Sequence, residues 1–202
     1  MIRLIYILTI LLLFSGCKKK DEYPVERFIF ASIGSMCTYD SLGQAQLSLR
    51  TFVDFDGSNE IKIAKGDIKY IRDLNAPKYS LDRFYKRIDR DTLKRMINRI
   101  LSKNLFKDSY MRPGDDLFFV MIYKLKNEVK QIVYKPDCLP AGLDSIHLYL
   151  RHLVNGELIT VDNFIIDSLF INFQKSLFVK YPPPPPPTHE DKIETMYRFI
   201  NE

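Results

Sequence analysis

Residues 117–134 read LFFVMIYKLKNEVKQIVY, and this stretch decides the class of fold. Two apolar runs rich in β-branched and aromatic residues, 117–125 and 129–134, stand on either side of the polar residues 126–128. This pattern predicts two strands joined by a short turn, which is the strongest hairpin signal in the chain. The protein is therefore expected to contain an antiparallel sheet.

Further strand signals precede this hairpin. Residues 27–33 are expected to form a first strand, and residues 47–55 alternate apolar and polar side chains as a half-buried strand does. A turn at 54–59 leads back into residues 60–64, and residues 68–71 can form one more extended piece. These segments extend the sheet that the hairpin begins.

Apolar residues at helical spacing predict three longer helices. The first begins at an N-cap on Asp89 and ends at Asn104, and the second ends at Asn155-Gly156 in a left-handed turn. The third extends from about residue 163 to residue 178. Their buried stripes are expected to be Leu93, Met96, Ile97, Ile100 and Leu101; Leu143, Ile146, His147, Leu150, Leu153 and Val154; and Ile165, Ile166, Leu169, Phe170, Phe173 and Leu177.

The order of strand pair, helix, hairpin and helix predicts an α+β fold, with amphipathic helices packed on one face of a mainly antiparallel sheet. Residues 157–161 can add a short strand. A length of 202 residues fits one domain with appendages, and we place that domain at residues 27–180.

Composition excludes several classes of protein. With 27% charged and 13% aromatic residues, the chain is not a disordered acidic or basic tail. Its apolar residues do not form several long runs, so it is not a polytopic membrane protein. The net charge of +5 is mild, which argues against a protein that binds polyanions strongly.

The N-terminal residues have the form of an export signal. Arg3 precedes an uncharged apolar run at residues 4–14, about half of the ~20 residues that a membrane-spanning helix needs. The run ends at Leu13-Phe14-Ser15-Gly16-Cys17, which resembles the lipobox of bacterial lipoproteins. The resemblance implies that residues 1–16 are a signal peptide and that Cys17 becomes an acylated N-terminus anchored in a lipid bilayer. An ordinary secretory signal and an uncleaved anchor are the alternatives.

The five residues after Cys17, Lys-Lys-Lys-Asp-Glu, are similar to the charged tether of lipoproteins from Bacteroidetes-type bacteria. This similarity implies a tether over residues 17–26 and a lipid-anchored place in the cell envelope, on the outer membrane and facing the periplasm or the surface. From Leu47 to Val154 the order of elements is also similar to small lipoproteins that carry domains of unknown function. That resemblance covers about half of the chain and implies no known activity.

Two further cysteines, Cys37 and Cys138, would then lie in an oxidising compartment. A disulfide between them would close a loop of about a hundred residues and contribute about 4–5 kcal/mol in the chain-entropy model. Two buried, unpaired thiols are the equal alternative.

No residue pattern indicates catalysis, a metal or another cofactor. His147 and His152 are not the i, i+4 pair that binds one metal ion, and a zinc site is disfavoured because the cysteines form no close pair. The oxygen-rich residues 54–60 lack the first carboxylate of a calcium loop, so we interpret them as a solvated turn. No serine lies in a nucleophile elbow, and no glycine-rich loop is present to hold phosphates.

A cluster of basic residues surrounds the first predicted helix. Arg95, Arg99 and Lys103 lie at i, i+4 and i+8, on a face away from Leu93. A solvated charged face is the ordinary interpretation. The sharper hypothesis is contact with anionic lipid or lipopolysaccharide headgroups, since the chain is expected to be anchored to a membrane.

The C-terminal part contains a run of prolines, Pro182 to Pro187, which predicts a polyproline II segment over residues 181–188. This segment can act as a spacer or surface strap, or as a ligand for an aromatic groove on a partner. Residues 189–202 are expected to form an amphipathic helix whose apolar stripe is buried on the body or on a partner.

These predictions favour a non-enzymatic, membrane-anchored lipoprotein that binds or scaffolds another envelope protein, with an immunity-type protein as one version. Nucleic acid is not an expected partner in that compartment. The alternative is an envelope hydrolase that acts on glycans or peptidoglycan. A hydrolase would require a pocket that collects two carboxylates about 5–10 Å apart.

Overall fold

A computed structural model describes residues 25–39, 45–69, 78–102, 117–135, 139 and 142–183. These residues form one seven-stranded sheet and three helices. The strands are β1 (Arg27–Tyr39), β2 (Ala45–Phe55), β3 (Glu60–Lys69), β4 (Lys78–Arg87), β5 (Leu117–Lys124), β6 (Val129–Tyr134) and β7 (Ile159–Thr160). The helices are α1 (Arg90–Ser102), α2 (Asp144–Asn155) and α3 (Ser168–Lys180).

Strand β1 lies at the centre of the sheet, whose order is β6-β5-β1-β2-β3-β4-β7. Every neighbouring pair is antiparallel. The predicted hairpin at 117–134 is confirmed as the pair of β5 and β6. Strands β1 to β4 form a meander on the other side, and the chain returns through α1 to place β5 beside β1.

Both faces of the sheet are buried at its centre, because apolar residues at successive positions of β1 and β5 point to opposite faces. In β1, Phe28 and Phe30 join one core cluster, whereas Ile29 and Ile33 join a second cluster on the opposite face. Residues 118–123 of β5 divide in the same alternating way. A strand of this kind needs a covering layer on each side.

Different helices supply those two layers. Helices α1 and α2 bury their apolar stripes against Phe28 and Phe30, on a surface that we call the α1/α2 face. Helix α3 buries Phe170 and Phe173 on the opposite surface, the α3 face. The α+β class therefore stands, but the expectation that all helices pack on one face is wrong for α3.

Strand β2 is not the half-buried strand that its alternation predicts. Val53 and Phe55 lie on the α1/α2 face, whereas Leu47, Leu49 and Phe52 lie on the α3 face. The reversal arises because the pairing with β1 skips Arg50, so that one extra residue bulges out of β2. A bulge shifts the alternation by one residue, which the sequence pattern does not reveal.

Strand β4 was not predicted. The polar and apolar residues of β4 do not alternate between a solvent face and a buried face. Even Arg83 and Lys86 bury the aliphatic parts of their side chains. The predicted piece at 60–64 and residues 68–69 of the next predicted piece belong instead to one longer strand, β3, which pairs with β4 from Glu60 to Lys69; residues 70–71 lie outside the described residues. The predicted strand at 157–161 is reduced to the short edge strand β7.

Helix α1 begins as predicted. The Asp89 carboxylate accepts hydrogen bonds from the backbone N–H groups of Asp91 (3.1 Å) and Thr92 (3.4 Å) and from the Thr92 hydroxyl (2.6 Å). These bonds, led by that from the Thr92 side chain, lower the pKa of Asp89. Ile88 and Leu93 pack into the same cluster, as a hydrophobic staple requires.

Helix α2 does not end in the left-handed turn predicted at Gly156, whose φ is −87° and whose backbone is extended. Its C-terminus is held by Lys86 of β4, which donates from Nζ to the Leu153 carbonyl at 2.9 Å. A Cβ on Gly156 would meet this ammonium group. Glycine therefore avoids a contact with the end of the Lys86 side chain and is not required for a positive φ.

Helix α3 begins later than predicted. Asp167 is its N-cap, and its Oδ1 accepts from the Leu169 N–H at 2.7 Å. Residues 161–166 cross the α3 face without helical structure, and Ile165 is 85% exposed instead of buried. The Asp167 carboxylate also binds Arg27 of β1, and this contact sets the start of the helix.

Candidate functional site

The sequence offers three groups of polar residues as candidate sites: the oxygen-rich residues 54–60, the histidines of α2 and the basic face of α1. Among the described parts of the chain, no three or more His, Cys, Asp or Glu side chains could hold a metal ion together. Within the same parts, no helix is long and apolar enough to cross a membrane. The contacts and exposure of each group therefore decide what it can bind.

Of the oxygen-rich residues 54–60, residues 56–59 form the turn between β2 and β3, whereas Asp54 lies in β2 and Glu60 in β3. Asp56 accepts from the Ser58 N–H at 3.1 Å, and Gly57 has a φ of +88°, which favours glycine. Asp54 points away from this turn and is 1% exposed at its side chain. The acidic groups of the segment thus do not converge as calcium ligands would.

Asp54 belongs to a partly buried cluster of three charges that links the centre of the sheet to α3. Arg27 of β1 makes a bidentate pair with Asp54, with distances of 2.7 Å from Nε to Oδ1 and 2.6 Å from Nη2 to Oδ2. Its remaining Nη1 lies 2.7 Å from Oδ2 of Asp167. We call these residues the Arg27 cluster.

The Arg27 cluster is built for structure. The hydrogen bond that Arg27 donates to Asp54 is the main cause that raises the pKa of Arg27, and the charges of Asp54 and Asp167 add to it. Asp167 uses one oxygen for Arg27 and the other to cap α3. Since both carboxylates are engaged by fixed donors, neither is placed to accept a proton from a substrate.

The sequence patterns did not predict that Arg27, Asp54 and Asp167 come together. Asp54 was assigned to the turn that follows it, and Arg27 and Asp167 lie far from it in the chain. An apolar strand that carries one carboxylate at a buried position is a signal that a partner is needed, because a lone buried charge is costly. The sequence does not show which basic residue would be that partner.

His147 lies in the core of the α1/α2 face and not at a metal site. It is 7% exposed, and its Nδ1 lies 3.0 Å from the Tyr134 hydroxyl. The Phe119 ring meets the imidazole edge-on at a centroid distance of 4.7 Å. Burial raises the pKa of Tyr134, so its hydroxyl keeps the proton that it can donate to a neutral imidazole.

The stability of the protein is expected to fall as the pH drops below about 6.5, the ordinary pKa of histidine. Burial is the main cause that lowers the pKa of His147, Arg151 lowers it further, and Asp144 opposes them. The unfolded chain then binds the proton more readily than the folded one, so stability rises with pH in this window, by at most about 1.4 kcal/mol per pH unit. Urea unfolding at pH 7.5, 6.5 and 5.5 measures this slope.

Two variants assign the slope to His147. His147→Gln keeps a hydrogen-bonding side chain beside Tyr134 and should flatten the profile. His152→Gln removes an exposed histidine from the same helix and should leave the profile unchanged. An unaltered slope in His147→Gln would assign the pH dependence to other groups.

The basic face of α1 is solvent-exposed, as the sequence indicated. Arg95 and Arg99 are both exposed, and Lys103 lies outside the described residues. Within the described parts of the chain, Arg95 donates to residues of its own helix, the Asp91 carbonyl at 3.3 Å and the Thr92 hydroxyl at 3.0 Å. Neither arginine takes part in an ion pair among the described residues.

Helix α2 packs against α1 and carries exposed basic residues of its own. Arg151 and His152 are exposed, and Leu148 is 62% exposed. Positive charge around an exposed leucine is the pattern of surfaces that contact lipid headgroups. We call Arg95, Arg99, Leu148 and Arg151 the basic surface.

Several predicted features fall outside the described residues. Cys17, Cys138 and the signal and tether segments are among them, as are the prolines from Pro184 onward and residues 189–202. The backbone of Cys37 lies in β1 opposite Leu47, but its pairing with Cys138 stays a prediction.

Comparison with known proteins adds no relative. The sequence matches no family model, and no curated protein or solved structure is significantly similar to it. The function must therefore be argued from the residues of this chain.

Proposed function

We propose that the protein is a membrane-anchored lipoprotein of the bacterial cell envelope, on the outer membrane, and that its α+β domain binds or scaffolds another envelope component without catalysis. The observation that carries this proposal is Ser15-Gly16-Cys17 at the end of the apolar run 4–14. A lipid-modified Cys17 would place several acyl chains in the bilayer, which suffices for stable anchoring. An immunity-type role remains one version of this proposal.

The contacts of the two carboxylates at Arg27 support a binding role. The two carboxylates that converge at Arg27 are both bonded to its guanidinium, and Asp167 also caps a helix. A hydrolase of glycans would instead need one free carboxylate and one protonated carboxyl across a substrate. The Arg27 cluster therefore favours the binding protein over the hydrolase.

The basic surface suits a protein held close to lipid. Its arginines lack carboxylate partners among the described residues, so their charge is free to attract anionic headgroups. The described sheet begins at Arg27, and residues 17–26 would thus form a short link between the lipid and the domain. We propose that Arg95, Arg99 and Lys103 face the membrane to which Cys17 attaches the chain.

Replacing the proposed lipidation site tests the anchor. Cys17→Ser is expected to abolish incorporation of labelled palmitate and to move the protein from the detergent phase to the aqueous phase in Triton X-114 partition, because the acyl chains supply the membrane affinity. Mass spectrometry of the wild-type N-terminus should show cleavage before Cys17 and the added acyl groups.

The chain provides its own matched controls for this experiment. Cys37→Ser and Cys138→Ser remove a thiol without touching the proposed lipidation site, and both proteins should stay labelled and in the detergent phase. Label retained by Cys17→Ser, or lost equally in all three variants, would contradict the proposed anchor.

A further inference from the structure

Helix α3 carries apolar side chains on its outer side as well as on its inner side. The inner side buries Phe170 and Phe173 against the sheet. On the outer side, Ile171, Lys175 and Val179 follow each other at i, i+4 and i+8, and all three are exposed. Val179 is 84% exposed and Ile171 is 37% exposed, whereas α1 exposes no large apolar side chain. We call Ile171, Lys175 and Val179 the outer α3 surface.

The charge around the outer α3 surface has one sign. Lys175 and Lys180 are the only charged residues of α3, and both are exposed. Neither forms an ion pair with another described residue, and Nζ of Lys180 lies 5.4 Å from the ring centroid of Tyr181. A second copy of α3 would bring lysines against lysines, which is unfavourable. The surface therefore suits an occupant that is both apolar and acidic.

Residues 189–202 have the complementary composition. They contain four acidic and two basic side chains, which gives a net charge of −2 with histidine neutral. Ile193 and Tyr197 belong to the apolar stripe of this segment, and a glutamate precedes each of them by three residues, at Glu190 and Glu194. Residues i and i+3 of a helix are neighbours, so both carboxylates would border the stripe. The segment thus offers apolar and acidic groups side by side.

The chain connects this segment directly to α3. Tyr181 follows the helix, and its N–H donates to the Leu177 carbonyl at 2.7 Å. The prolines from Pro182 to Pro187 would span about 19 Å as polyproline II. The 13 residues of α3 span about 20 Å. Residues 189–202 can therefore lie along α3, and a short connection of this kind gives an effective concentration on the order of millimolar.

We propose that residues 189–202 bind the outer α3 surface of the same chain. Their apolar stripe covers Ile171 and Val179. The glutamates at the border of the stripe face Lys175 and Lys180, which lack carboxylate partners among the described residues. Another protein that binds this side of the domain must then displace the segment. Both sides of the contact belong to one chain, so the contact does not depend on a lipid anchor.

The chain contains no tryptophan, so a single introduced tryptophan can report on this surface. The full-length protein with Val179→Trp is compared with the same variant ending at Thr188, both in one nonionic detergent. Removal of residues 189–202 is expected to shift the indole emission to longer wavelength and to increase its quenching by acrylamide about twofold, because the ring passes from an apolar contact into water. Equal emission and quenching in the two proteins would overturn the proposal, whether the indole is exposed in both or covered by detergent in both.

Leu148→Trp provides the matched control. Leu148 is 62% exposed on α2, which packs on the opposite face of the sheet. Truncation should leave the emission and quenching of this variant unchanged. A change at position 148 without one at position 179 would place the segment on the side of α1 and α2 and overturn the proposal. Equal changes at both positions would show that truncation loosens the whole domain, which would also count against the proposal.

Dilution separates a contact within one chain from a contact between two chains. The protection of the indole in full-length Val179→Trp should be the same at every protein concentration. Protection that is lost on dilution would show that a second copy supplies the covering segment, and the proposal would then be wrong.

Reversal of charge tests the pairing of lysines with glutamates. Lys175→Glu and Lys180→Glu, introduced together into the Val179→Trp protein, should expose the indole as truncation does, because like charges then face each other. Glu190→Lys and Glu194→Lys, added to that variant, should restore the protection. A loss of packing at the lysines would not be rescued by changes in the other segment. Protection that survives the first reversal, or fails to return after the second, would contradict the proposed contact.

Discussion

Replacing Arg27 by methionine is expected to lower the free energy of unfolding by about 3–5 kcal/mol, because Asp54 is left as a buried charge without its partner. Methionine fills a similar volume with an apolar side chain, so the loss reports mainly on the charge. Urea unfolding followed by circular dichroism measures the change.

Two further variants show that the effect belongs to the Arg27 cluster. Asp167→Asn keeps an oxygen that can cap α3 but removes the charge beside Arg27, so a smaller loss of about 1 kcal/mol is expected. Lys124 faces Arg27 across the strands and forms an exposed ion pair with Glu26. Lys124→Gln breaks this pair and should lower the free energy of unfolding by less than about 0.5 kcal/mol. Similar losses in Arg27→Met and Lys124→Gln would contradict a structural role for the cluster.

Neutralising Arg95, Arg99 and Lys103 is expected to weaken binding to anionic liposomes about a hundredfold. The change is Arg95→Gln, Arg99→Gln and Lys103→Gln together, in the unacylated Cys17→Ser protein. Each cation near an anionic surface contributes about 1 kcal/mol, so three contribute about 3 kcal/mol. Co-sedimentation with vesicles that contain phosphatidylglycerol measures the affinity, which should also fall as salt is added.

The control for this experiment removes the same amount of charge elsewhere. Lys126, Lys175 and Lys180 are exposed and lie outside α1 and α2. Their replacement by glutamine should reduce the affinity much less, because only charge held within a Debye length of the surface contributes fully. Equal losses in the two triple variants would show attraction by net charge alone and would contradict an oriented basic surface.

Local patterns were sufficient to predict much of the fold. The hairpin at 117–134 was predictable because its two runs are apolar and its turn is polar. Helix α1 was predictable because Asp89 and the stripe from Leu93 to Leu101 are local signals, and all of its predicted core positions except the half-buried Met96 are fully buried. Such signals depend on residues within one or two turns of each other.

The features that sequence patterns missed depend on distant contacts. The bulge at Arg50 reverses the faces of β2, and the start of α3 is fixed by a carboxylate bonded to a strand far away in the chain. The end of α2 is held by Lys86, which lies in β4, the strand that was not predicted.

The central position of β1 has a mechanical consequence for an anchored protein. If lipid at Cys17 holds the chain, a force on the domain enters at Arg27 and runs along β1, which is hydrogen-bonded to β2 on one side and β5 on the other. Antiparallel ladder bonds lie perpendicular to the strand, so this load shears two ladders at once instead of opening them one bond at a time. The bidentate contact with Asp54 stands at the point where the load enters. A domain tethered in this way would resist mechanical unfolding most strongly when the force acts along β1, which is the direction in which the tether pulls.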